Sequence, residues 1–109
     1  MATYLFDIDG TIVNYHTHDW LPGAKEKLLQ LVQEGHDIVF ITMRGPQDEG
    51  QPWSIQNTVK LLEELPFRYR LLTDCVSPRF IVDDAKPTAI HWPRDGSYEE
   101  HGDLLENKK

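Results

Sequence analysis

Two carboxylates stand two residues apart at the end of an apolar run, Asp7 and Asp9 in Phe6-Asp7-Ile8-Asp9-Gly10-Thr11. Acids this close repel each other and make poor core residues. A strand that ends in them sets local pattern against chemistry, as functional sites do. A second acidic pair, Asp83-Asp84, closes another apolar run, Phe80-Ile81-Val82. Carboxylates gathered on one rim need a cation, and a hard, oxygen-binding ion such as Mg²⁺ is the usual choice beside a phosphate. An Asp also serves as a nucleophile on phosphorus, forming an aspartyl phosphate that water hydrolyses. A second Asp then protonates the leaving oxygen and activates the water. Asp7 and Asp9 suit those two roles, because side chains at i and i+2 of an extended strand point the same way. Backbone N–H groups around Gly10 are donors for phosphate oxygens. Thr42, at the end of Ile38-Val39-Phe40-Ile41, offers a hydroxyl, and Arg44 a guanidinium fork suited to phosphate.

The elements that must position these groups are legible in the pattern. Tyr4 to Ile8 reads as a buried parallel strand. Residues 10–22 read as a loop. From Gly23 to Glu34 the apolar residues Ala24, Leu28, Leu29, Leu31 and Val32 have helical spacing, and Gly35 fits a helix C-cap. Ile38 to Ile41 is a second buried strand. Residues 44–52, with Gly45, Pro46, Gly50 and Pro52, read as a loop. Ile55, Val59, Leu61, Leu62 and Leu65 give a second helix, started at Ser54 or nearer Pro52 and stopped by Pro66. Tyr69 to Leu72, Phe80 to Val82 and Ala89 to Trp92 are the third, fourth and fifth strands. Strands alternating with helices imply an α/β fold with a mostly parallel sheet. Its ligand crevice lies outside the carboxyl ends of the strands, where Asp7, Thr42, Asp74 and Asp83 converge. Only about seven residues separate the third and fourth strands, too few for a helical crossover. Either the third strand is a short edge piece or the connection slips under the sheet.

At 109 residues the chain is one small domain, able to bury roughly two-thirds of its unfolded surface. We expect a core over residues 1–94 and an acidic, flexible tail over 95–109, which supplies −3 of the net charge of −7. Such a balance gives no general attraction for nucleic acid or anionic membrane. The single cysteine, Cys75, excludes an internal disulfide and fits a reducing compartment. No basic region precedes an apolar stretch at the N-terminus, as a signal peptide requires, and no apolar run approaches a membrane span. The expectation is a cytoplasmic protein.

Asp7-Ile8-Asp9-Gly10-Thr11 resembles the first motif of the haloacid dehalogenase superfamily of phosphohydrolases. Ile38-Val39-Phe40-Ile41-Thr42 is similar to its second, and Phe80-Ile81-Val82-Asp83-Asp84 to its fourth. The likeness covers residues 3 to about 90. It implies a Rossmann-like three-layer sandwich. It makes Asp7 the nucleophile and Asp9 the general acid/base, gives Mg²⁺ to Asp7, the carbonyl of Asp9, and Asp83 or Asp84, and gives phosphate to Thr42. Residues 12–22 and 44–53 are too short for a cap domain, so the chain resembles the capless type. That type implies an open site for a phosphorylated small molecule or an exposed phosphate on a larger substrate, a phosphorylated nucleic-acid end included, or closure by a second copy in a homodimer.

The third-motif cation is missing from Leu72-Thr73-Asp74-Cys75-Val76-Ser77-Pro78. Arg79 would start the fourth strand about 13 Å from Asp83 at strand rise, at the wrong end. Lys86, just past Asp84, is the first candidate to replace it, and Arg44 the second. The missing cation favours a rival reading, a catalytically weak or inactive metal- and phosphate-binding regulatory domain. Transfer to an acceptor other than water is a third. His16, His18 and Trp20 read as a surface loop with a packing tryptophan, with substrate recognition as the alternative. Trp53 reads as packing at the start of the second helix, and Trp92 as a cover for the sheet edge.

Overall fold

The computed structural model describes residues 1–90. Three parallel strands lie in the order of the chain, β1 (Thr3–Asp7), β2 (Asp37–Ile41) and β3 (Arg70–Leu72). Helix α1 (Ala24–Gln33) joins the first two and α2 (Ile55–Leu62) the last two. The result is a small α/β unit. Asp7 pairs with Ile41, and Ile41 with Leu72, so all three strands end on one rim.

Local chemistry explains the boundaries. After α1 the chain turns through Gly35, whose φ of 93° is left-handed. The Gly35 and His36 amides donate to the carbonyls of Val32 and Leu31, closing the helix as its glycine implies. Ser54 caps α2 by accepting from the Asn57 amide at 3.2 Å. Helix α2 ends at Leu62 rather than Leu65, and the chain turns through residues 63–66 before Phe67.

The core joins Phe6, Ile8, Phe40, Leu28, Leu31 and Leu62. Ile12 and Val13 are wholly buried with them, so the stretch after β1 is anchored rather than an outlying loop. Bridges from Val13 to Asp9 and Trp20 hold it in place. Strand β1 buries only one of its faces. Phe6 is buried, while Leu5 is 47% exposed, which corrects the expectation of a strand covered on both sides.

Two expected strands are absent from the described residues. Phe80 to Val82 forms no ladder, and Val82 is 95% exposed. Ala89 and Ile90 are also outside any strand, and Trp92, the boundary near residue 94 and the tail lie outside the described residues. Seven residues suffice because they make no crossover. From β3 the chain passes over the end of β2, where the Asp74 amide donates to the Arg44 carbonyl and the Cys75 amide to the Thr42 carbonyl. It then runs beside β1, so that Phe80, Ile81 and Pro87 to Ile90 face β1 across a groove. No helix among the described residues is long and apolar enough to cross a membrane.

This arrangement separates two substitutions that a five-strand sheet would treat alike. Phe40→Ala should cost about 3–5 kcal/mol in urea denaturation. Val82→Ser should stay within about 0.5 kcal/mol of wild type. Comparable losses for the two would mean that residues 80–82 are packed as a strand.

Candidate functional site

At the carboxyl rim a polar cavity of about 290 Å³ opens between β1, the stretch after it and the turn after β2. Asp7, Asp9, His16, Arg44, Trp53 and Arg79 are among its lining residues. Asp7 is the last residue of β1. Arg79 Nη1 lies 3.1 Å from its Oδ1. The Arg79 fork is aimed by a carbonyl, since Nε and Nη2 both donate to Cys75 O at 3.0 and 2.8 Å. Cys75 is in turn fixed by its amide on Thr42 O. Burial pushes the Asp7 carboxyl up, and the charge and hydrogen bond of Arg79 only partly offset it, so Asp7 titrates above its usual range.

Asp9 has the opposite balance. Burial also works to raise it, but hydrogen bonds from Arg44 and from the His16 amide, with the charge of Arg44, hold it below the usual range. Arg44 Nε donates to Asp9 Oδ2 at 3.0 Å and Nη2 to Oδ1 at 2.7 Å. Nη1 donates to Thr58 Oγ1 at 2.8 Å, and Nη2 also to the Thr17 carbonyl at 3.0 Å. The Arg44 side chain is 2% exposed. Its guanidinium is therefore spent on protein groups, and it borders the cavity without presenting a free fork to phosphate.

The remaining expected site residues fall elsewhere. Thr42 is wholly buried, and its hydroxyl oxygen accepts the Arg44 amide at 3.0 Å. It does not line the cavity. The Gly10 amide donates to Val13 O, and the amides of Thr11, Ile12 and Val13 to Ile8 O, so the expected phosphate donors are already engaged. Lys86 is exposed and borders neither the cavity nor the groove. Asp83 shares the groove along β1 with Asp7, whereas Asp84 does not. A hydrogen bond from the Ala85 amide leads the influences that hold exposed Asp83 below its usual range. Among the described residues no three His, Cys, Asp or Glu side chains stand together as metal ligands. Asp7 and Asp9 border the cavity, Asp83 borders the groove alone and Asp84 borders neither, and Arg44 occupies the Asp9 carboxylate rather than the carbonyl expected to meet Mg²⁺.

Strand rise over residues 79–83 predicts Arg79 at the wrong end. Without a strand there, the side chain turns back onto Asp7. Trp53, expected to pack, stacks on His16 and also lines the cavity. The available signal was its position just before the N-cap of a helix that follows a parallel strand, which belongs on the ligand rim. Trp20 behaves as the packing residue expected. Its indole N–H donates to Glu64 Oε1, Lys25 lies 5.1 Å over its ring, and it packs against the core. Of its loop neighbours, His16 reaches the cavity and His18 does not.

Comparison with protein-family models, curated proteins and solved structures gave no match to this chain.

Removing one partner of a buried ion pair strands the other charge. Arg44→Met should therefore cost about 3–5 kcal/mol at pH 7 in urea denaturation. Arg44→Lys should recover only part, since an ammonium cannot reproduce the fork. The folded Asp9 pKa is depressed, so the stabilisation is present above the unfolded value of 3.8 and is lost as pH falls through the folded one. The deficit of Arg44→Met should narrow accordingly below about pH 4. An equal deficit at pH 7 and pH 3 would contradict this account.

Proposed function

We propose that this chain is a phosphohydrolase of the haloacid dehalogenase type, a capless Rossmann-like three-layer domain of the cytoplasm that hydrolyses a phosphate monoester through a phospho-Asp7 intermediate. The observation that carries the proposal is Asp7 at the end of β1, facing a polar cavity with the Arg79 guanidinium 3.1 Å away. A carboxylate nucleophile attacking a phosphate dianion needs a cation beside both, and a guanidinium fork suits phosphate oxygens. An Asp7 oxygen attacks phosphorus and the ester P–O bond breaks. The leaving oxygen takes a proton from solvent, since Arg44 holds Asp9 as a carboxylate, and water cleaves the acyl phosphate to return Asp7 and inorganic phosphate. Mg²⁺ enters as the cofactor implied by the resemblance. The cavity volume favours a phosphorylated small molecule over a polymer end.

A second reading draws on a different observation. Both Asp9 oxygens already accept hydrogen bonds from Arg44, and Oδ1 also accepts from the His16 amide. That favours a persistent carboxylate over a proton donor, and so a phosphate-binding domain of weak turnover. Transfer to an acceptor other than water shares the first step.

With Mg²⁺ and p-nitrophenyl phosphate, Asp7→Asn should lower the rate at least about 10³-fold. Equal rates would remove the nucleophile. In the metal-free protein the Asp7 carboxyl should titrate above 3.8 in an NMR pH series, because burial lifts it. Arg79→Met should move that titration to higher pH, since Arg79 pulls the carboxyl down. A titration that moves down instead would contradict the pairing. A rate indifferent to chelator would remove Mg²⁺. Phosphate binding without turnover on a broad panel of esters would favour the second reading.

A further inference from the structure

One wall of the cavity is aromatic. The rings of His16 and Trp53 are stacked, with centroids 4.7 Å apart and planes 14° from parallel. The Tyr15 ring lies 4.5 Å from the imidazole, tilted by 46°. All three rings line the same cavity as Asp7 and Arg79. Aromatic stacks normally serve a core, yet neither Tyr15 nor Trp53 belongs to the hydrophobic cluster of the described residues. Tyr15 is 51% exposed. Aromatic side chains beside a few placed polar groups are the usual lining of a ligand pocket.

The wall is also held rigidly. The Trp53 indole N–H donates to Asp48 Oδ1 at 3.1 Å, and the other Asp48 oxygen accepts the Gly45 amide at 3.0 Å. The indole is thereby tied to the backbone next to Arg44. The His16 amide donates to Asp9 Oδ1 at 2.8 Å, fixing the backbone that carries the imidazole. Rings positioned before a ligand arrives bind it at a lower entropic cost.

We propose that the site takes a phosphate monoester bearing one planar aromatic ring, with the phosphate toward Arg79 and the ring against Tyr15, His16 and Trp53. The proposal deepens the phosphohydrolase reading and rests on it for the phosphate. A cavity of about 290 Å³ is at the small end of ligand sites, which run from roughly 300 to 1,000 Å³. It has room for a phosphate group and one ring. Arg79 supplies the anion anchor, and the aromatic wall supplies the selection.

The test is a binding measurement that turnover cannot enter. Phenylphosphonate and cyclohexylphosphonate match in size and charge, carry a P–C bond in place of the ester, and differ in planarity. In calorimetric titration of the full chain, phenylphosphonate should bind about tenfold more tightly. Trp53→Ala should abolish that preference, and Trp53→Phe should keep most of it. Arg79→Met should weaken both ligands together. Equal affinities in the wild type, no binding of either ligand, or a Trp53→Ala loss shared equally by both would each overturn the aromatic subsite. A ring preference in a protein that hydrolyses no phosphate ester would sustain the subsite and sink the phosphohydrolase reading. Hydrolysis without a ring preference would do the reverse.

Discussion

The buried contact between Arg44 and Asp9 is the constraint on which the rest of the rim depends. A guanidinium at 2% exposure is tolerable only when its charge is paired and each of its nitrogens is hydrogen-bonded. Here a carboxylate takes two of its bonds, a helix threonine takes one, and the carbonyl of Thr17 takes another. Those partners belong to the stretch after β1, at Asp9 and Thr17, and to α2, at Thr58. One side chain from the turn after β2 thus fixes three separate pieces of chain against one another. The positions of His16 and Trp53 follow from it, since His16 hangs from Asp9 and Trp53 from the turn beginning at Gly45.

A second set of contacts does for Asp7 what Arg44 does for Asp9. Thr42 O accepts the Cys75 amide, Cys75 O accepts the Arg79 fork, and Arg79 meets Asp7. The chain leaving β3 is thereby drawn across the end of β2 to the end of β1, and it delivers a cation where the preceding seven residues carry none. Thr42 takes part in both sets, through its hydroxyl toward Arg44 and its carbonyl toward Cys75. Its part in the fold is to tie the two arginines to a single strand end.

The strands and helices with strong periodicity were legible in the sequence to within a few residues. Gly35 and Ser54 marked ends that the backbone then uses as caps. The shared rim was legible too, because parallel strands in register must end together. Residues 79–82 were not. An apolar run of three residues specifies burial or a strand only when an edge receives it, and here Phe80 and Val82 remain exposed. The roles of the arginines were hidden for a related reason. Spacing along a chain says where a backbone goes when it is regular, but a long side chain on an irregular segment reaches several ångströms in a direction that no period encodes. Trp53 was hidden because an indole before a helix N-cap serves packing and ligand contact equally well as a pattern, and only its neighbours distinguish them.

Two acids two residues apart have been driven to opposite electrostatic outcomes. Asp7 is raised by burial that Arg79 only partly offsets, and Asp9 is lowered by a fork that overcomes its burial. For Asp9 the direction runs against the role that the sequence motif suggests, since a carboxyl held down by a guanidinium is a poor proton donor. The reason is structural. Asp9 is the counter-ion that permits Arg44 to be buried, so protonating Asp9 would leave that charge unmet. In this fold the price of an acid at position 9 is the integrity of the rim that organises the site. Asp7 carries no such obligation, since its arginine is one-quarter exposed and remains accessible to water. The residue free to change its partner in the proposed reaction is therefore Asp7, and the residue that keeps the rim assembled is Asp9.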